Sequence, residues 1–246
     1  MKPKVAFFDF TGCEGCQLQK INCEDELLDI LQHVEVVNFR EASSVRRDDY
    51  DIAFIEGSIS TPTCVERIKK IRQNAKILVA LGACASTGGL NSLKNFRPLE
   101  DAKQYVYGEM AHCFDTLPAQ PVHNFVTVEY EVHGCPMDKQ DYIRTVKALL
   151  SGRQPEPYNY PVCVECKLKE NECLFDKGEL CLGPITRAGC GARCPGNNYP
   201  CFGCRGLVTN AATDAGRKVL ADHGLTEQDI LDKFRLFYGY SEVAHR

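Results

Sequence analysis

The run Lys4-Val-Ala-Phe-Phe-Asp-Phe-Thr-Gly-Cys-Glu-Gly-Cys16 places a CxxC pair directly after a strand-forming stretch, Val5 to Phe10. Four further segments repeat the apolar pattern: Val34 to Phe39, Ile52 to Ile55, Ile77 to Leu81 and Val126 to Val132. The gaps between them read as helices. Leu18, Ile21, Leu28 and Leu31 mark one face of a helix between the first two strands, and Thr61-Pro62 reads as an N-cap followed by proline at the first helical position. Tyr142, Val146 and Leu149 continue the pattern after the last strand. Strands rich in Val, Ile and Phe alternating with crossover helices predict an α/β fold, a flavodoxin-like, doubly wound parallel sheet. Residues 91–122, with Pro98, Pro118 and Pro121, read as an irregular insertion.

The chain has 246 residues, 44% apolar and 25% charged, which excludes disorder. No apolar run approaches the roughly 18 to 20 residues that span a bilayer. The opening MKPKVAFFDF lacks the apolar length and cleavage site of a secretion signal, and Arg46-Arg47 lies inside the domain rather than before an apolar leader. A cytoplasmic location is expected. Net charge is −4 with no basic stripe, so a nucleic-acid partner is not expected. Fifteen cysteines, an odd number, argue for metal or cluster ligation rather than a disulfide scaffold.

Eight of those cysteines fall between Cys163 and Cys204. Ser151-Gly-Arg-Gln-Pro155-Glu-Pro157 through Pro161 reads as a connector, because its prolines disfavour helix and sheet alike. Two domains are expected: residues 1–152 form the flavodoxin-like part, and residues 153–246 a small irregular part that ends in helices. From Pro161 to Gly206 the chain is too rich in Cys, Gly and Pro to bury much apolar surface unaided, so bound metal should hold it. The tail from Asn210 to Tyr240 reads as two short helices, with Thr226 and Asp229 a variant capping box for the second.

In an open parallel sheet the loops leaving the carboxyl ends of the strands gather on one edge, where ligands bind. Cys13 and Cys16 of TGCEGC, Cys84 of LGACASTGG and Cys135 of HGCPM are all expected there. Four thiolates in one place suit a 4Fe-4S cluster or an all-thiolate zinc site. GACASTGG has the glycines of a phosphate loop but not the Gly-Lys-Ser/Thr ending, and Cys84 sits in its middle, so flavin is expected elsewhere.

As a set, CEGC, IEGSIS from Ile55 to Ser60, GACASTGG and GCP resemble the N-terminal domain of nickel-iron hydrogenase small subunits. The resemblance implies that Cys13, Cys16, Cys84 and Cys135 bind a proximal 4Fe-4S cluster beside the nickel-iron site of a separate large subunit. The related subunit of respiratory complex I usually has adjacent cysteines at the first position, so the CxxC favours hydrogenase.

Cys163-x2-Cys166-x6-Cys173-x7-Cys181 and Cys190-x3-Cys194-x6-Cys201-x2-Cys204 form two further sets of four, which zinc or iron-sulfur clusters would satisfy. The segment from Glu172 to Gly206 resembles the C-terminal cluster domain of the same small subunits, which implies a distal 4Fe-4S cluster on the first set and a medial one on the second. Many periplasmic relatives have histidine and proline where Cys163 and Cys194 stand. Extra thiolate lowers a cluster's potential and suits a low-potential acceptor. YPVCVECKL, CLGPITRAGC and ARCPG most resemble the delta subunit of soluble NADP-linked hydrogenases, or sulfhydrogenases. That implies flavin-containing NAD(P) reductase and iron-sulfur subunits as further partners, and no hydrogen chemistry on this chain. The alternatives are a small subunit of a deazaflavin-reducing or heterodisulfide-reductase-linked hydrogenase, and a zinc-binding interaction module without redox function.

Among the remaining residues, Glu56 is a candidate proton relay, with Glu14 beside it. His133 precedes the Gly134-Cys135 turn, and Arg205 could raise the medial potential or pair with a neighbouring subunit. Cys23, Cys64 and Cys113 read as ordinary small apolar residues without a ligand role.

Overall fold

A computed structural model describes residues 2–241 with Ala244 and His245. The chain divides into two compact units, Met1–Pro155 and Glu156–Arg246.

In the first unit, β1 (Lys4–Asp9), β2 (Glu35–Phe39), β3 (Ile52–Glu56), β4 (Ile77–Leu81) and β5 (Tyr130–Val132) form one sheet in the order β2-β1-β3-β4-β5. Every pairing is parallel, with Val5 opposite Ile52 and Ile52 opposite Ile77. This is the expected doubly wound arrangement. Alternate strand residues feed two cores. Phe7, Phe54, Val79 and Leu81 face one side with helices α1 (Gly15–Ile21), α2 (Glu24–His33) and, after β5, α6 (Lys139–Leu150). Phe8, Ala53, Ile55 and Leu78 face the other with Ile68 and Ile71 of α3 (Pro62–Asn74). Thr61 caps α3 as expected, its hydroxyl accepting the Cys64 amide at 3.2 Å.

Three sequence expectations need correction. The single helix expected between the first strands breaks at Asn22 and Cys23, and Leu18, Ile21, Leu28 and Leu31 are 36 to 62% exposed. The face turned inward carries Cys16, Gln17, Lys20 and Ile30 instead. The last strand is confined to residues 130–132, because the Val126 amide donates to the Val122 carbonyl and Val126 and Val128 spend their apolar surface on the core. The insertion is largely helical: short α4 (Gly82–Thr87) runs into a 3-10 segment, Gly89–Phe96, followed by α5 (Leu99–Tyr107) and a second 3-10 turn, Gly108–Cys113.

The second unit has short helices α7 (Val162–Leu168) and α8 (Arg193–Gly196) among irregular chain, then α9 (Thr213–Asp222) and α10 (Glu227–Tyr238). The expected capping box is present: the Thr226 hydroxyl accepts the Asp229 amide at 3.2 Å and Asp229 accepts the Thr226 amide at 3.0 Å. No helix among the described residues is long and apolar enough to cross a membrane.

Candidate metal centres

The sheet order places the carboxyl ends of β1, β3, β4 and β5 side by side, and each carries one part of the first site. Cys13 and Cys16 follow β1, Glu56 ends β3, Cys84 lies on α4 after β4, and Cys135 follows β5. Backbone bonds stitch the loops together. The Ala83 amide donates to the Gly134 carbonyl at 2.7 Å, and Asn91 donates to the Thr11 carbonyl at 2.8 Å. Burial pushes the Cys84 thiol up to about 12, and the charges of Cys135, Cys13 and Glu56 push the same way. Burial likewise raises Cys16 to about 12, opposed by its bond from the Met137 amide and reinforced by Glu56, Cys84 and Cys135. The four sulfurs thus lie in one another's field.

Two glycines make room beside them. A Cβ on Gly82 would stand 2.4 Å from Cys16 Sγ, and one on Gly89 3.0 Å from Cys84 Sγ; both residues have positive φ, +79° and +56°. The Met137 amide donates to Cys16 Sγ at 3.4 Å. A buried thiol in the field of other thiols is a poor nucleophile. Bound iron would bring positive charge to the sulfur, favouring the thiolate and releasing the proton to solvent, so the donor set fits a cluster.

In the second unit, Cys163, Cys166, Cys173 and Cys181 line one apolar cavity with Leu174 and Phe175. Burial raises Cys163 to about 11, with Cys181, Cys166 and Cys173 adding to it. A Cβ on Gly183 would lie 3.3 Å from both Cys163 Sγ and Cys181 Sγ, and the Gly183 and Cys201 amides donate to Cys181 Sγ at 3.4 and 3.2 Å. The remaining four show two couples, Cys190 with Cys194 and Cys201 with Cys204. Burial raises the Cys194 thiol, with Cys190 adding; burial also raises Cys201, with Cys181 and Cys204 adding. The bond from Cys201 to Cys181 makes the two sets adjacent. All fifteen cysteines are free thiols, and among the described residues no three His, Cys, Asp or Glu stand close enough to clasp a single metal ion.

The other candidates fall into place around these sulfurs. Glu56 is 3% exposed, and burial raises its carboxyl; Glu14, in the left-handed region at φ 62°, is raised by burial and then by Glu56. His133 Nδ1 is 3.1 Å from Ser86 Oγ. Arg205 is 1% exposed and donates through Nε to the Ala188 carbonyl, so it packs inside its own unit rather than presenting its charge to a neighbour. Cys23 is buried and donates to the Gln19 carbonyl, Cys64 packs against the α3 core, and Cys113 is exposed beside His112.

Sequence reasoning missed several supporting groups. Glu165, between Cys163 and Cys166, accepts the Gly189 and Ala192 amides at 2.8 and 3.2 Å and so shapes the loop that carries Cys190 and Cys194. Its position inside CVEC was the available signal. Asn171 donates to Cys166 Sγ at 3.6 Å, and Tyr238 pairs with Thr186 at 2.6 Å. Asn171 lies between Cys166 and Cys173 but matches no ligand pattern, and Tyr238 is too far along the chain to give a cue.

Residues 13–149 match the family described as NADH ubiquinone oxidoreductase, 20 kDa subunit. The delta subunit of sulfhydrogenase 2 of Pyrococcus furiosus is 34% identical over 95% of this chain and 98% of its own length. A subunit of the vhu F420-non-reducing hydrogenase of Methanocaldococcus jannaschii is 32% identical over 95% and 92%. The delta subunit of the NAD-reducing hydrogenase HoxS of Cupriavidus necator is 28% identical over 65% and 83%. A solved chain of an NAD+-reducing [NiFe]-hydrogenase superposes with a TM-score of 0.59 at 28% identity, covering 63% of this chain and 95% of that one. Sheet order, cysteine loops and relatives agree: the chain belongs to the family of the 20 kDa NADH ubiquinone oxidoreductase subunit, as a small subunit of the nickel-iron hydrogenase type.

Proposed function

We propose that this chain is an electron relay holding three 4Fe-4S clusters: proximal on Cys13, Cys16, Cys84 and Cys135, distal on Cys163, Cys166, Cys173 and Cys181, and medial on Cys190, Cys194, Cys201 and Cys204. The observation that carries this reading is the convergence of buried, mutually repelling thiols from separate βα loops on one sheet edge, beside glycines that keep the sulfurs clear. Its partners are a large subunit with the nickel-iron site, a flavin-containing NAD(P) reductase and an iron-sulfur subunit, all in the cytoplasm. The sulfhydrogenase and NAD-reducing relatives support a nicotinamide acceptor.

When bound, a 4Fe-4S cluster supplies reversible one-electron chemistry at a potential set by its charge, hydrogen bonds and exposure. The chain's own residues set those terms. Thiolates bring negative charge, and the Met137, Gly183 and Cys201 amides offset part of it through N–H to sulfur bonds. Glu56 and Glu165 hold the ligand-bearing turns by accepting their backbone amides. In this reading Glu56 positions Cys16, and its second oxygen, without a partner among the described residues, leaves room for the proton-relay role expected from sequence.

A second reading is a hydrogenase coupled to a deazaflavin or a heterodisulfide reductase; the gamma chain of the coenzyme F420 hydrogenase of Methanococcus voltae, 27% identical, supports its deazaflavin form. Assays of the isolated complex with NADP, deazaflavin and ferredoxin separate the two. The relay itself is tested by iron and acid-labile sulfide, about twelve of each per chain. A colourless protein with zinc and no sulfide would overturn it. Cys194→Ser should alter the medial cluster and slow electron delivery while sparing hydrogen-dependent isotope exchange at the partner; equal loss of both activities counts against the wire.

A further inference from the structure

On the sheet face covered by α1, α2 and α6 the side chains leave a chamber of about 220 Å3. Phe7 of β1, Ile30 of α2, and Val146 and Leu149 of α6 wall it, and Leu31, 40% exposed, lines its rim. It is roughly half as large again as the ~150 Å3 apolar cavity that admits a benzene ring. Protein cores are normally close-packed, and lining atoms that face a void lose their contacts.

Three polar residues interrupt this wall. Ser43 already accepts the Val45 amide at 3.0 Å. Lys20 is 1% exposed, its Nζ 4.3 Å from the ring centroid of Phe7 and 5.1 Å from that of Phe39, and it donates to Gln17 Oε1. Burial holds this ammonium down at about 7, against the pull of Glu56, Cys16, Glu14 and Glu41. Tyr142 is also 1% exposed, and burial raises its phenol above the ordinary value. A buried ammonium whose hydrogen bond goes to a neutral amide oxygen gains from an anion beside it.

We propose that the chamber binds a small aliphatic monocarboxylate of about eight carbons, its carboxylate accepting from Lys20 and Tyr142 and its chain packed against Phe7, Ile30, Val146 and Leu149. The acid pairs the buried cation, accepts from the phenol and fills the apolar space at once. This site is separate from the cysteine sets, and the proposal does not depend on the electron-transfer reading.

The test is calorimetric titration of the anaerobically isolated complex with octanoate and, as the neutral equivalent, 1-octanol. Octanoate is expected to bind saturably at one site per chain. Lys20→Met should weaken octanoate at least tenfold and leave octanol binding in place, whereas Val146→Trp, which fills the chamber, should abolish both. If Lys20→Met does not assemble, Tyr142→Phe carries the same test, with octanoate weakened several-fold and octanol unaffected. Absence of saturable octanoate binding to the unmodified complex, binding that Val146→Trp does not move, or equal octanoate affinity in the Lys20 or Tyr142 variant would overturn the proposal.

Discussion

Glu56 Oε1 accepts the backbone amide of Cys16 at 3.1 Å, while Oε2 of the same carboxylate is buried with no hydrogen-bond partner among the described residues. Helix α1 starts from Glu14 in the left-handed region and has no side-chain cap of its own. The last residue of β3 therefore does for α1 what an N-cap side chain does elsewhere, and it fixes a candidate ligand cysteine in the process.

Removing that acceptor strands a buried amide. Glu56→Ala should cost about 1–3 kcal/mol and lower the iron bound at the proximal site, whereas Glu56→Gln keeps an acceptor oxygen and should recover most of both. Thermal unfolding and iron per chain, measured on the two variants side by side, decide this. Equal damage from both would show that charge rather than hydrogen bonding matters at this position.

Gly82→Ala should remove one cluster and leave the others. Its φ of +79° disfavours any side chain, and the added methyl would sit 2.4 Å from Cys16 Sγ. Iron content is expected to fall from about twelve to about eight per chain. Gly108→Ala is the control: φ is +52° but nothing lies within 4 Å, so it should cost about 1–2 kcal/mol of backbone strain with iron unchanged.

A pH-dependent contribution to stability sits at the edge of the sheet. His123 Nδ1 is 3.0 Å from Glu131 Oε1, a carboxylate that also faces His133 Nε2 at 3.5 Å. The hydrogen bond to Glu131 raises the His123 pKa above its ordinary 6.5, with burial opposing. The increment is whole below 6.5 and disappears as pH rises through the raised folded value. Because the pair is part exposed, the increment is under about 1 kcal/mol. His123→Gln should lower the unfolding temperature slightly near pH 5.5 and leave it unchanged near pH 8.5, about a unit or more either side of the ordinary imidazole value.

The capping box of α10 gives a local prediction. Thr226→Ala removes the acceptor for the Asp229 amide and should cost about 1 kcal/mol, seen as faster amide exchange in the first turn of the helix.

Much of this was legible in the sequence because it depends on short-range pattern. Short continuous apolar runs gave the strands, Thr61-Pro62 gave a helix start, and Thr226 with Asp229 gave a cap. Cysteine loops after the first, fourth and fifth strands pointed to one sheet edge, since sheet topology alone brings such loops together. What escaped was set by tertiary packing. Leu18 and Leu28 have helical spacing yet point outward, while Lys20 on the same stretch is buried between aromatic rings. No local rule assigns a lysine to the inside and a leucine to the outside. Glu56, Glu165 and Tyr238 act across long loops, and only the folded chain shows what they touch.

Tyr238, 2% exposed near the end of α10, presses its hydroxyl against Thr186, which in turn bonds the Cys201 sulfur; a Cβ on Gly203 would meet the same hydroxyl at 2.6 Å. Helix α10 thus reaches the Cys201 turn through two hydroxyls in series. A substitution at the far end of the chain, Tyr238→Phe, would therefore be felt at a candidate cluster ligand more than thirty residues earlier.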